Sequence, residues 1–172
     1  MAPKPIIDLS QVDLSRVEYD AQALDLYLPQ TDLMRQLHGV ISHQPEQRFT
    51  IGFRDVGADE FWVKGHFASR PVFPGVLLVE SLAQLCSFYW RREIGRERAP
   101  GRVMLFGGID GVKFRDAIFP GQRVILVCRV DDLKERRSTF ACQAFVEGKL
   151  VFEGQITGLL GPSMPEVFQD GR

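Results

Sequence analysis

The chain is short of the residues that mark most cofactor, secretion and anchoring chemistry. It has three cysteines and three histidines in 172 residues. Cys86, Cys128 and Cys142 are odd in number, far apart and set in apolar surroundings. They read as reduced core residues and argue against a disulfide framework. No His/Cys/Asp spacing resembles a zinc or iron site, so no metal and no other cofactor is expected. A phosphate-cradling glycine loop is missing, and Gly107-Gly108, inside a strand pattern, marks a bulge or a close backbone approach. The Gly-x-Ser-x-Gly elbow of serine esterases is missing too. Net charge is only −1, which gives no global signal for nucleic-acid binding. The start, Met1-Ala2-Pro3-Lys4-Pro5, lacks the apolar core of a signal peptide. No apolar run is long and uninterrupted enough to span a bilayer. A cytoplasmic protein with neither a nucleic-acid nor a membrane partner is expected.

What the chain does have is apolar content, 45%, enough for one packed domain of this length. A loosely docked arm is expected over 1–28, a folded domain over 29–161 and a loose tail over 162–172. A weak helical period covers 19–28 and ends at Pro29, and 30–41 reads as a second short helix with Leu33, Met34 and Leu37 on one face. From residue 47 the pattern turns to strands. Residues 48–54 alternate polar and apolar, 59–63 is a turn or a second extended piece, and strands follow over 103–114, 123–133, 138–147 and 150–160. Pro120-Gly121 and Glu147-Gly148 are the turns, the second a tight hairpin. One long helix with a long antiparallel meander is an α+β pattern.

That helix is 76–90, apolar on every side and therefore buried. It is launched by Gly65-His66-Phe67-Ala68-Ser69-Arg70-Pro71-Val72-Phe73-Pro74-Gly75, in which the two prolines favour an extended entry. The charged 91–98 stretch reads as a solvated exit stopped by Gly95. Glu80 is the anomaly, a carboxylate in a buried helix with Gln84 one turn along the same face. Burying such a charge is costly unless it is paired or protonated. A lone Glu would read as structural, but His66 stands just before the turn. A carboxyl and an imidazole flanking a helix N-terminus supply a proton donor, a proton acceptor and free N–H groups at Gly75 and Val76 for a developing oxyanion. His38 and His43 have no such setting and read as surface or locally hydrogen-bonded residues.

The run Gly65-His66-Phe67-x-x-x-Pro71-x-x-Pro74-Gly75-Val76-Leu77-x-x-Glu80-x-x-Ala83-Gln84 resembles the signature of the FabZ-type β-hydroxyacyl-[acyl carrier protein] dehydratases of the FabA/FabZ family. The likeness extends over roughly 29–161, with Ile109-Asp110, Phe114 and Pro120-Gly121 as downstream landmarks. It departs at 29–34, where the family usually has Pro-His-Arg-Tyr-Pro-Phe, and at Ala68-Ser69, where many members have Pro-Gly. The resemblance implies a hot-dog fold, an antiparallel sheet wrapped around one central helix. It also implies dehydration of a β-hydroxyacyl thioester to the trans-2-enoyl thioester, in fatty-acid or related acyl-chain synthesis. In that reading His66 is the general base, Glu80 the general acid, the Gly75 N–H polarises the thioester carbonyl, and Gln84 orients Glu80. The implied partners are an acyl carrier protein bearing a phosphopantetheine-linked acyl chain and a second copy of the chain. That homodimer places His66 of one subunit beside Glu80 of the other, and a trimer of dimers stays open.

Lys113, Arg115, Arg136 and Arg137, with Lys134, are either a solvated surface or an electrostatic dock for the acidic carrier. Phe73, Phe88 and Phe106 are the guesses for an acyl-tunnel lining. Two alternatives remain at this point: a non-catalytic, acyl-carrier-binding hot-dog subunit, against which the intact His66/Glu80 pair argues, and a hydratase of enoyl coenzyme A esters.

Overall fold

Six segments pair into one antiparallel sheet: β1 (Gly39–Gln44), β2 (Phe49–Asp55), β3 (Arg102–Phe114), β4 (Arg123–Asp132), β5 (Arg137–Val146) and β6 (Lys149–Ser163). Their order in space is β1-β2-β4-β5-β6-β3. The computed structural model describes residues 4–164 and 166. Of the tail expected over 162–172, residues 165 and 167–172 lie outside the described residues, and β6 runs on to Ser163. Helix α1 (Ala21–Leu24) is a single turn capped by Asp20, whose carboxylate accepts from the Ala23 N–H at 2.9 Å. Helix α2 (Gly75–Trp90) lies on one face of the sheet and packs chiefly against β4.

Both faces of the sheet are covered, and β4 shows why its sequence reads as continuous apolar. Val124, Leu126, Cys128 and Val130 join the cluster under α2, while Ile125 and Val127 join a second cluster on the other face. The N-terminal arm closes that second cluster with Ile6, Ile7, Leu9, Val12 and Leu14. Gln143 of β5 fastens it, accepting from the Ile6 N–H at 2.8 Å and donating to the Lys4 carbonyl at 3.1 Å.

This second cover inverts the plain reading of β2. Phe49, Ile51 and Phe53 point outward beneath the arm, so Thr50, Gly52 and Arg54 are the residues on the face of α2. The fit is close at Gly52, where a Cβ would come within 2.9 Å of Leu85 in α2. The β5–β6 hairpin turns at Glu147 and Gly148, with φ of 50° and 78°, the two positive values a tight hairpin demands. A shift of register between Phe106 and Gly108 makes Gly107 the extra residue of a bulge.

Three sequence expectations are corrected. Residues 30–41 are not a helix: only Asp32–Met34 makes a 3-10 turn, and β1 begins at Gly39. Buried on both sides at most positions, β1 shows none of the alternation that betrays a half-covered strand. Gly95 does not stop the helix. The chain passes from Trp90 through a π turn, Arg91–Gly95, into another helical turn, and Arg91, Ile94 and Gly95 are buried rather than solvated. Gly95 is there because a Cβ would meet the Trp90 ring at 2.5 Å. His43 is no surface residue. It is 8% exposed, lies edge-on to Phe88 and Tyr89, and meets Glu93 through Nε2 at 2.9 Å. The cysteines are free and buried as expected, and burial pushes the Cys86 thiol pKa up, away from the reactive thiolate.

Candidate active site

The site grows out of the loop between β2 and α2. Trp62 anchors it, 5% exposed, with its ring edge-on to Phe73 at 5.5 Å. The Trp62 carbonyl accepts from the His66 N–H at 2.8 Å. His66 is then gripped twice by Val72. Its carbonyl accepts from the Val72 N–H, and its Nδ1 lies 2.7 Å from the Val72 carbonyl. A carbonyl can only accept, so Nδ1 carries the proton and Nε2 presents its lone pair. That is the tautomer a general base requires. The His66–Phe67 peptide is cis, and the two rings stack at 4.4 Å.

At the start of α2, Pro74 offers no side-chain cap. Leu77 and Leu78 both donate to the Pro74 carbonyl. Among the described residues, the Gly75 and Val76 N–H groups are left open at the positive end of the helix. The Phe114 ring lies where a side chain on residue 75 would go, 2.7 Å from the position of its Cβ. Any larger residue there would have to push the Phe114 ring aside.

Glu80 is half-buried on the second turn, and Gln84 fixes it. Gln84 is fully buried and uses every hydrogen-bonding position of its carboxamide. Oε1 accepts from the Gln36 and Leu37 N–H groups at 2.9 and 3.0 Å, and Nε2 donates to the Met34 carbonyl at 2.6 Å and to Glu80 Oε1 at 2.8 Å. Two backbone donors on one atom and two acceptors on the other leave a single orientation for the amide. The second Glu80 oxygen stays available.

Glu80 lines a cavity of about 140 Å³ with Gln30, Ala83, Ser87, Met104, Leu105, Phe106, Ile156, Thr157 and Gly158. His66 is not among those residues, so one chain does not bring the pair together in this cavity. Of the phenylalanines singled out for the tunnel, Phe106 lines it. Phe73 packs on Trp62, and Phe88 is fully buried among Tyr19, Tyr27 and His43.

The four basic residues divide. Lys113 and Arg115 lie at the end of β3 near Gly75 and share Glu153, whose carboxyl pKa they hold below the usual range. Arg136 and Arg137 are at the β4–β5 turn, beyond Lys134, whose carbonyl accepts from Trp90 at the other end of α2. The helix between them is about 24 Å long. Sequence reasoning missed Gln36, Arg54, Glu60 and Trp62, a buried polar set behind the site. Arg54 was visible only as the polar end of an alternating strand. Among the described residues, no group of three or more His, Cys, Asp or Glu could hold a metal ion, and no helix is long and apolar enough to cross a membrane.

The chain as a whole is similar to known proteins. The family model of the FabA-like domain matches residues 28–155. The chain is 39% identical over 104 residues to the 3-hydroxyacyl-[acyl-carrier-protein] dehydratase FabZ of Teredinibacter turnerae, covering 60% of this chain and 71% of that one. To the FabZ dehydratase of Bacillus pumilus it is 31% identical over 145 residues, covering 84% of this chain and 98% of that one. Among solved structures, the dehydratase heterocomplex ApeI:P from Xenorhabdus doucetiae superposes with a TM-score of 0.66 at 18% identity, over 81% of this chain and 91% of that one. At this identity the structural likeness speaks for the hot-dog fold.

Proposed function

Since the chain belongs to the FabA-like family, we propose that it dehydrates 3-hydroxyacyl groups carried on acyl carrier protein to trans-2-enoyl groups, in fatty-acid or related acyl-chain synthesis in the cytoplasm. The observation that carries this reading is the opposite preparation of the two reacting groups. His66 is locked by Val72 with Nε2 free to accept a proton, and Glu80 is held through one oxygen by Gln84, leaving the other to face substrate. In the proposed reaction His66 Nε2 takes the α-proton. The thioester carbonyl, held by the Gly75 N–H, carries the developing negative charge. The electron pair then forms the α,β double bond as the C–OH bond breaks, and Glu80 gives its proton to the departing hydroxyl, which leaves as water.

We place the two groups of one site on two chains. The Glu80 cavity is not lined by His66. Exposed apolar groups border both halves: Phe67 and Phe114 near His66 and Gly75, and Leu105 and Phe106 on β3 at the sheet edge. A two-fold dimer would cover them. Lys113 and Arg115, near Gly75, are the basic residues best placed for a carrier's phosphopantetheine phosphate.

The test is dehydration of 3-hydroxyacyl-carrier protein by His66→Ala, by Glu80→Gln and by the two refolded together. Each variant alone should lose about 10²- to 10⁴-fold in rate. The mixture should recover roughly a quarter of the sites, because random pairing rebuilds one intact site in each mixed dimer. A folded single variant that retains a tenth of the wild-type rate would remove that residue from its role. Mixed dimers with no recovered activity would place both groups on one chain.

A further inference from the structure

Arg54 is a cation taken almost wholly out of water, 3% exposed, on the face of β2 that looks toward α2. Such burial is costly unless the charge is paired and every donor is used. A structural ion pair would need only Glu60. The guanidinium does more than that. Nη2 donates to Glu60 Oε2, Nη1 contacts His38 Nε2 at 2.9 Å, and Nε donates to Gln36 Oε1 at 3.3 Å. Its Cζ lies 5.3 Å from the centre of the Phe73 ring, two residues before Gly75.

Three of those contacts, to Gln36, Glu60 and Phe73, lead to different parts of the site. Through Gln36, it reaches the backbone N–H that holds Gln84 Oε1, and so the donor on Glu80. Through Glu60, which also accepts from Trp62 Nε1 at 2.8 Å, it reaches the residue whose carbonyl holds the His66 N–H. Phe73 leads to the turn that opens the oxyanion N–H groups. His38 is kept neutral, its pKa lowered by burial and then by Arg54 itself, so its ring adds no second cation beside the guanidinium.

We propose that Arg54 is a positioning residue, a single buried guanidinium that holds the Glu80 arm and the His66 arm of the chain in register. The inference rests on the dehydratase reading above. If each active site is shared, the two arms serve the two different sites of the dimer, so one Arg54 sets half of each. The planar fork fixes three directions at once, which an ammonium group cannot do.

The decisive variant is Arg54→Lys, which keeps the charge. Its folded homodimer should lose about 10- to 100-fold in kcat, the usual result of small misplacement of reacting groups. KM should stay within about twofold, because carrier recognition is untouched. A merely structural arginine would lower yield and melting temperature but leave the kcat of folded protein unchanged, and that result overturns the proposal. Hydrogen exchange gives a readout independent of turnover. The amides of His66 and of Gln36 and Leu37 should exchange faster together in Arg54→Lys, and acceleration in only one of the two places would also overturn it. Mixed dimers of a His66→Ala chain with a Glu80→Gln chain then separate the arms. Gln36→Leu should impair the single working site only from the chain that supplies Glu80. Glu60→Gln should do so only from the chain that supplies His66. If Arg54→Lys does not fold, these milder changes decide for or against the proposal in its place. Wild-type protein that dehydrates no carrier-bound substrate would sink the dehydratase reading instead, leaving the exchange experiment to judge Arg54.

Discussion

The two ends of α2 are built to opposite specifications. At the C-terminal end Phe88, Tyr89 and Trp90 are 0%, 2% and 1% exposed. Rings and strands surround them on every side, and the Trp90 N–H is satisfied by the Lys134 carbonyl. At the N-terminal end Val76 is 75% exposed and Phe114, lying across Gly75, is 53% exposed. Among the described residues, the Gly75 and Val76 N–H groups there are also unspent. One end of the helix holds the fold, and the other presents the open surface proposed above as the site of reaction. Active sites draw on marginally packed regions because their groups must meet substrate. Here a rigid anchor about four turns away makes that openness tolerable.

Substitutions can test how sharp the division is. Phe88→Ala, at the closed end, should cost about 3–5 kcal/mol in unfolding free energy, as a large ring removed from a well-packed core leaves a cavity. Urea denaturation would show it, and a loss below about 1 kcal/mol would mean that this end is looser than its burial implies. Gly95→Ala adds one methyl where the Trp90 ring already stands. It should cost about 1–3 kcal/mol by overpacking, and it should leave the kcat of the folded protein near wild type because the site is at the far end. Val76→Ser, at the open end, should change stability by no more than about 0.5 kcal/mol. A loss approaching that of Phe88→Ala would show that a partner chain packs on Val76, and the contrast would then belong to the monomer alone.

The same contrast runs through what could be read from the chain. The long helix, the four later strands and the hairpin at Glu147-Gly148 were legible because local signals agreed with tertiary fate. Each has its own period, and its turns have residues suited to positive φ. Glu80 and Gln84 stood out because polar groups in apolar company are conspicuous, and His66 and Gly75 because they bracket the proline-marked turn that launches the helix. What escaped was set by long-range cover. Leu33, Met34 and Leu37 suggested a helical face, yet Leu33 and Met34 are exposed, and the backbone around them is shaped by Gln84 taking the Gln36 and Leu37 N–H groups and holding the Met34 carbonyl. The inward turn of Arg54 follows from the arm that buries Phe49, Ile51 and Phe53 on the opposite face. A strand's alternation says that its two faces differ, not which one meets the helix. Gly95 looked like a stop because its actual constraint, the Trp90 ring, appears only after the chain has turned through its π-helical bend.

The arm fastened by Gln143 has a consequence for how the molecule is made. Its anchor lies 137 residues downstream of Ile6, so at ordinary synthesis speeds roughly 7 to 27 s separate the emergence of the two from the ribosome. Throughout that interval Ile6, Ile7 and Leu9 are out of the tunnel without the completed sheet to lie on, accompanied by Asp8 and Asp13. The arm emerges well before its anchor and is therefore among the last segments to settle. Its docking reports that β5 has arrived and paired, so resistance of the arm to a protease added during translation would serve as a clock for completion of the sheet.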